Sequence, residues 1–248
     1  MINDLLIVVM AGGLGKRMQS KIPKVLHKVG EEPMLVKILK TAKSMNPKKI
    51  MVVVGKYRDI IEKTLKDYIS LENIIFINQP VSNGTGGAVM CCRDMFENHN
   101  NHNVLVLSGD VPLISKTTLL NTLTNLSECK IVVTKSDNPH GLGRIILSKD
   151  KFVKIVEEKD CNDEEKKINL TNTGIYAFKS DILYKYLPFI NNKNAQNEYY
   201  LTDIIEIIKV NEKTNIDMYE IKKEKQYELL GVNTKEQLEL VNNYYKIK

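Results

Sequence analysis

The chain has 248 residues, 43% of them hydrophobic and only 6% aromatic, and carries a formal net charge of +6 with an isoelectric point of about 8.9. That length allows one large α/β domain with a proper core, and the mild excess of Lys and Arg suits small anionic substrates. No basic block interleaved with aromatics marks a nucleic-acid partner, no apolar stretch approaches the ~20 residues of a membrane span, and Met1–Asp4 lacks a basic n-region, so no nucleic acid, no membrane and a cytoplasmic location are expected.

Leu5–Met10 is a short apolar run stopped by glycines and reads as a buried strand. Helical spacing over Met34–Met45 puts Leu35, Ile38 and Leu39 on one face. A strand at Lys49–Val54, a helix at Asp59–Tyr68, a strand at Ile74–Asn78 and a helix over Gly86–Met95 follow. Val104–Leu107 is the next strand, then come a helix near Lys116–Leu126 and a strand at Lys130–Lys135. This alternation implies an α/β fold with a mostly parallel sheet and helices on both faces, whose ligands sit beyond the C-terminal ends of the strands. Beyond residue 135 the pattern changes. Arg144–Leu147 and Phe152–Val156 flank the polar turn Ser148–Lys151 and read as a hairpin; Thr173–Phe178 is another strand. Helices at Asp181–Tyr186 and Leu201–Val210, a strand near Ile216–Ile221 and a helix from Thr234 to Tyr245 complete the pattern. No long linker and no internal repeat interrupt it. One domain over 1–248 is expected, with halves at about 1–135 and 136–233 and a C-terminal helix at 234–246.

The strand Leu5–Met10 runs into Ala11-Gly12-Gly13-Leu14-Gly15, then Lys16, Arg17 and Pro23-Lys24. Such a loop brings backbone N–H groups close to a ligand, phosphate above all, and Arg17 and Lys24 add charge and donors. A Walker loop is excluded, because Gly15-Lys16 is followed by Arg17 and Met10 stands where its first glycine belongs. A dinucleotide fingerprint begins at Gly13-Leu14-Gly15 but has Met18 in place of its third glycine. The alternative is a ligand-free strand-to-helix turn. Asp110 in Ser108-Gly109-Asp110-Val111-Pro112 ends a strand beside this loop, where a carboxylate can hold Mg²⁺ or simply cap the next turn. Gln79 to Gly87, QPVSNGTGG, offers an amide and backbone groups that can read the imide edge of a pyrimidine, or is a plain loop. The four cysteines form no Cys-x-x-Cys pair, and His27, His99, His102 and His140 show no metal spacing. Gly-x-Ser-x-Gly is absent, so no protein nucleophile is expected.

The spacing Ala-Gly-Gly-x-Gly-x-Arg-Met followed by Pro-Lys-Val-Leu-His resembles the sugar-nucleotide pyrophosphorylases, and within them the uridyltransferase domain of the bifunctional bacterial N-acetylglucosamine-1-phosphate uridyltransferases. The resemblance recurs along nearly the whole chain. It implies the Rossmann-like nucleotide-diphospho-sugar transferase fold, a nucleotide-binding first half and a β-rich sugar-binding second half. It implies transfer of UMP from UTP to N-acetylglucosamine 1-phosphate, with Mg²⁺ as cofactor and pyrophosphate as co-product. Arg17, Lys24 and Asp110 would then be catalytic, and Asp110 and Asn233 of Gly231-Val232-Asn233 would ligate the metal; by itself, Asn233 before Thr234 is an ordinary helix cap. Ala11, Gly12, Gly13, Gln79, Gly84, Thr85 and Gly109 would bind the nucleotide. Gly143, Glu157, Asn172, Glu198 and Tyr199 would bind the sugar.

Three positions depart from the family pattern: Ser108 replaces its Tyr, Ser82 a second Gln, and Asn197 a Gly. Ser82 and Ser108 are where another base or sugar could enter. The alternatives are therefore another sugar-1-phosphate nucleotidyltransferase, using glucose 1-phosphate, dTTP or CTP, or a non-catalytic nucleotide-sugar-binding module. The family's bifunctional members continue into a β-helix that carries trimer contacts. No hexapeptide repeat occurs in these 248 residues, so a monomer or dimer is expected.

Overall fold

The computed structural model describes residues 4–97 and 101–247; His99 lies outside them. Strand β1 (Leu5–Met10) leads through a short 3₁₀ turn (Lys16–Met18) and another (Lys24–Leu26) to a small hairpin, β2 (Lys28–Val29) and β3 (Glu32–Pro33), and helix α1 (Met34–Lys43). Then come β4 (Lys49–Val54), α2 (Arg58–Lys66), β5 (Ile74–Asn78), α3 (Thr85–Met90), α4 (Asp94–Glu97), β6 (Asn103–Ser108), α5 (Lys116–Leu123) and β7 (Cys129–Lys135). The second half holds β8 (Arg144–Ser148), β9 (Lys151–Val156), α6 (Asp163–Lys166), β10 (Leu170–Lys179), α7 (Ser180–Tyr186), α8 (Asp203–Glu212), β11 (Asp217–Glu220) and α9 (Lys235–Ile247). None of the described helices is long and apolar enough to cross a membrane.

The main sheet runs β11-β7-β10-β6-β1-β4-β5. β6, β1, β4 and β5 pair in parallel, and β10 enters antiparallel between β6 and β7. The two halves of the chain therefore share one sheet. Apolar residues alternate across it because successive side chains point to opposite faces. Ile7, Val9, Val52 and Leu105 face a core closed by α1, α2 and α5, while Leu6, Val8, Met51 and Val106 face one closed by α3, α7 and α8. A third, smaller cluster of Met18, Val29, Met34, Val232 and Val241 joins the segment after β1 to the C-terminal helix.

Two expected elements differ in outline. The helix over Gly86–Met95 is broken into α3 and α4, where the backbone tightens, Cys92 N donating to Val89 O (2.9 Å) and Arg93 N to Met90 O (3.0 Å), and Arg93 stacks on Tyr184 (3.8 Å to the ring). The strand at Thr173–Phe178 extends to Leu170–Lys179 through a bulge between Asn172 and Tyr176, where Gly174 has φ +75°. The β8–β9 hairpin turns on Lys149 and Asp150, both at positive φ as a two-residue hairpin loop demands, and it joins the sheet where Arg144 pairs with Thr171.

Phe178 is fully buried in β10, beside β6 and β7. Phe178→Ala should cost about 3–5 kcal/mol in chemical denaturation through the cavity it leaves; a loss below about 1 kcal/mol would mean that the halves are not held through this strand.

Candidate functional site

Three loops leave the sheet at the C-terminal ends of β1, β5 and β6 and converge. Backbone hydrogen bonds set their spacing: Ala11 N donates to Val53 O (2.8 Å), Gln79 N to Val54 O (2.7 Å) and Gly109 N to Met10 O (2.8 Å). Gly109 is required at its place, since a Cβ there would stand 2.7 Å from Met10 O. Between the loops lies a cavity of about 270 Å³. Ala11, Gly12, Gly13 and Lys24 line one side, Gln79, Ser82, Gly84 and Thr85 another, and Asp110 and Glu198 also reach it. Arg17 stands apart: it is exposed, does not line the cavity and makes no hydrogen bond or ion pair among the described residues. Gly109 does not line the cavity either.

Lys24, Asp110 and Asn233 meet at this cavity. Lys24 Nζ forms an ion pair with Asp110 Oδ2 and donates to Asn233 Oδ1 at 3.0 Å; the Lys24 and Asp110 side chains are each 13% exposed. The other Asp110 oxygen accepts from Ser108 Oγ at 2.7 Å. Both capping alternatives fall away. Ser115, not Asp110, caps α5, accepting from Thr118 N at 3.2 Å. Thr234 Oγ1 accepts from Gln237 N (3.3 Å) while Gln237 Oε1 accepts from Thr234 N and Asn233 N, which leaves the Asn233 side chain free to face Lys24. The distant Asn233 is brought here by Val232, whose N donates to Asp110 O at 2.9 Å. Buried Glu228 adds a second tie, accepting from Ser115 N (3.1 Å) and Ser115 Oγ (2.7 Å). No group of three or more His, Cys, Asp or Glu side chains among the described residues could hold a metal by itself.

The residues expected at the sugar form a second group. Asn172 N donates to Gly143 O (2.9 Å), and a Cβ on Gly143 would lie 3.4 Å from Glu157 Oε2. Glu157 Oε1 accepts from Thr202 Oγ1 at 2.9 Å. Burial raises the pKa of Glu157 against that hydrogen bond, and Asp160 and Glu198 add repulsion. Glu198 and Tyr199 follow a turn in which Asn194 Oδ1 accepts from Gln196 N and Glu198 N, both at 3.2 Å. Asn197 there has φ +54°, a conformation that Asn tolerates after Gly, which explains how it stands in a glycine position. Tyr199 ties this group to the first: its N donates to Asn83 O and its O accepts from Gly86 N, both at 2.8 Å. Gly84, at φ +105°, permits that approach, since any Cβ would run into Tyr199 O. Arg144 underlies the group, only 2% exposed and paired with Glu158 at 2.6 Å. Thr202, Asp203 and Asn83 belong to the site without having been singled out. Thr202 and Asp203 end the motif that contains Glu198, while nothing in the local sequence marks Asn83.

Comparison with known proteins shows a family and a likeness of fold. Residues 6–226 match the family described as nucleotidyl transferase. A probable UDP-N-acetylglucosamine pyrophosphorylase of Acanthamoeba polyphaga mimivirus is 43% identical, over 98% of this chain and 97% of its own length. The bifunctional protein GlmU of Helicobacter pylori is 40% identical over 93% of this chain, which spans 52% of that protein, about half. A UDP-glucose pyrophosphorylase solved with UDP-glucose superposes over the whole of both chains with a TM-score of 0.74 at 18% identity, a likeness of fold.

Asp203, in the first turn of α8, is pushed up to about 6 by burial, with Glu157, Glu206 and Asp160 adding repulsion. Its folded pKa thus exceeds the unfolded value of about 3.9, so the associated stability is present below about pH 4 and lost as pH rises through about 6. In urea denaturation Asp203→Asn should match the parent at pH 4 and exceed it at pH 8; equal stability at pH 8 would refute the shift.

Proposed function

The chain belongs to the nucleotidyl transferase family, and from that premise we propose that it transfers UMP from UTP to N-acetylglucosamine 1-phosphate, giving UDP-N-acetylglucosamine and pyrophosphate. The observation that carries this reading is the meeting of Lys24, Asp110 and Asn233 at the mouth of a glycine-lined cavity. The named activity of the mimivirus relative supports the substrate pair.

A phosphate oxygen of the sugar phosphate attacks the α-phosphorus of UTP in line, a new P–O bond forms, and the α–β bridging bond breaks to release pyrophosphate. Such transfer needs positioning and charge neutralisation rather than a nucleophilic side chain. The amides of Gly12 and Gly13 cradle the triphosphate. Lys24 places positive charge at the reacting phosphate, and Arg17, exposed on the turn beyond the loop, would help hold the triphosphate. Gln79, Gly84 and Thr85 hold uracil; Gly143, Glu157, Asn172, Glu198 and Tyr199 hold the sugar.

Asp110 and Asn233 would hold Mg²⁺. Their fit to a cation is tested by Lys24 itself, whose ammonium occupies the point on which Asp110 Oδ2 and Asn233 Oδ1 converge. Two protein oxygens suit Mg²⁺, which takes its remaining ligands from phosphates and water. When bound, the ion neutralises charge on the phosphates of both substrates.

Purified protein given UTP, N-acetylglucosamine 1-phosphate and Mg²⁺ should release pyrophosphate only when all three are present. Asp110→Ala and Lys24→Ala should each lower turnover about 100-fold or more with the protein still folded by circular dichroism. Binding of UTP with no pyrophosphate release would favour a binding module, and release only with another nucleotide or sugar phosphate would move the substrate.

A further inference from the structure

Gln79 has one end of its side-chain amide committed and the other open. Its Nε2 donates to Asn83 Oδ1 (3.1 Å) and to Gly84 O (3.2 Å). Its Oε1 accepts no hydrogen bond among the described residues and faces Gly12, where a Cβ would lie 2.9 Å away. Gln79 and Gly12 both line the cavity, and Gln79 is otherwise buried. An amide in such a place presents an acceptor or a donor according to which way it is turned. Turning Gln79 over would set its oxygen against two other oxygens, Asn83 Oδ1 and Gly84 O.

Asn83 is itself well held. Its carbonyl accepts from Tyr199 N at 2.8 Å, and its side-chain amide fills the space above Gly87, where any Cβ would overlap Asn83 Oδ1. The pair Asn83 and Gly87 thus fits together as one unit beneath Gln79. Of the two acceptors on Gln79 Nε2, the Gly84 carbonyl is backbone; Asn83 is the one that a change of side chain can remove.

We propose that Asn83 is a positioning residue that turns the Gln79 amide so that an oxygen, not an NH₂, faces the base. The site then accepts a hydrogen. It favours a pyrimidine whose ring nitrogen carries one, as N3 of uracil does, over cytosine, whose bare N3 would oppose the Gln79 oxygen. This rests on the reading of Gln79 as a base contact and deepens it into base selection.

The test is the ratio of kcat/KM for UTP to that for CTP, with N-acetylglucosamine 1-phosphate fixed. Asn83→Ala, and Asn83→Leu at larger volume should the alanine variant melt early, should each lower the ratio about tenfold, the scale of one hydrogen bond. Asn83→Asp keeps an acceptor for Gln79 Nε2, and its charge acts on both triphosphates alike, so it should keep the ratio. An unchanged ratio in the alanine and leucine variants overturns the assignment, as does an equal fall in the aspartate variant. A parent protein that uses CTP as well as UTP, or neither, overturns the base reading itself and this assignment with it.

Discussion

Two acceptor oxygens drawn together at the edge of a cavity repel each other unless a positive charge stands between them. Asp110 Oδ2 and Asn233 Oδ1 are such a pair, and the Lys24 ammonium is the charge. Much of the surrounding chain makes that meeting possible. Asp110 hangs from the end of the central strand β6, with Ser108 steadying its second oxygen. Asn233 comes from far along the chain and is fastened by Val232 to the Asp110 carbonyl. The small core of Met18, Val29, Met34, Val232 and Val241 holds the segments that flank both Lys24 and Asn233. Asn242 reinforces it from α9, accepting from Gly30 N at 2.9 Å. The C-terminal helix is in this sense part of the site, although its own side chains do not line the cavity.

The sheet explains why nucleotide and sugar residues can be neighbours at all. Parallel strands β6, β1, β4 and β5 deliver their loops to one edge. β10, running the other way between β6 and β7, brings in the bulge with Asn172 and the hairpin beside it. A purely parallel arrangement would have needed another crossover to do the same. The cost of packing so many acids nearby is visible in Glu157 and Asp203, both raised first by burial, with Asp160 and Glu198 adding repulsion at Glu157 and Glu157, Glu206 and Asp160 adding it at Asp203.

Much of this was legible from the sequence, for definable reasons. The β strands of the parallel core are continuous apolar runs, so β1, β4 and β5 have the expected bounds. Glycines at Gly12 and Gly84 marked the loops because a Cβ there would crowd Gln79 Oε1 and Tyr199 O. What was not legible depends on contacts across the chain. At the break between α3 and α4, Arg93 meets Tyr184 from far along the chain. The release of Asn233 from capping depends on Gln237, an unremarkable helix residue until its hydrogen bonds are known. Asn83 sits in a polar loop that periodicity cannot read, and its importance lies in a side chain that meets Gln79. Arg17 stands exposed in a 3₁₀ turn whose next residue, Met18, is buried, an orientation that spacing alone does not reveal.

The loop at Asn83–Gly86 and the segment at Tyr199 exchange hydrogen bonds in both directions, Tyr199 N to Asn83 O and Gly86 N to Tyr199 O. Two backbones joined this way behave as a short ladder rather than as two independent loops. A shift in one must be followed by the other or break both bonds. Gln79 and Gly84 on one side of the cavity and Glu198 on the other are thereby held at a fixed distance by backbone alone, whatever their side chains do. The molecule has in this one contact a rigid gauge between the two sides of its cavity, set by main chain rather than by the residues that face the ligand.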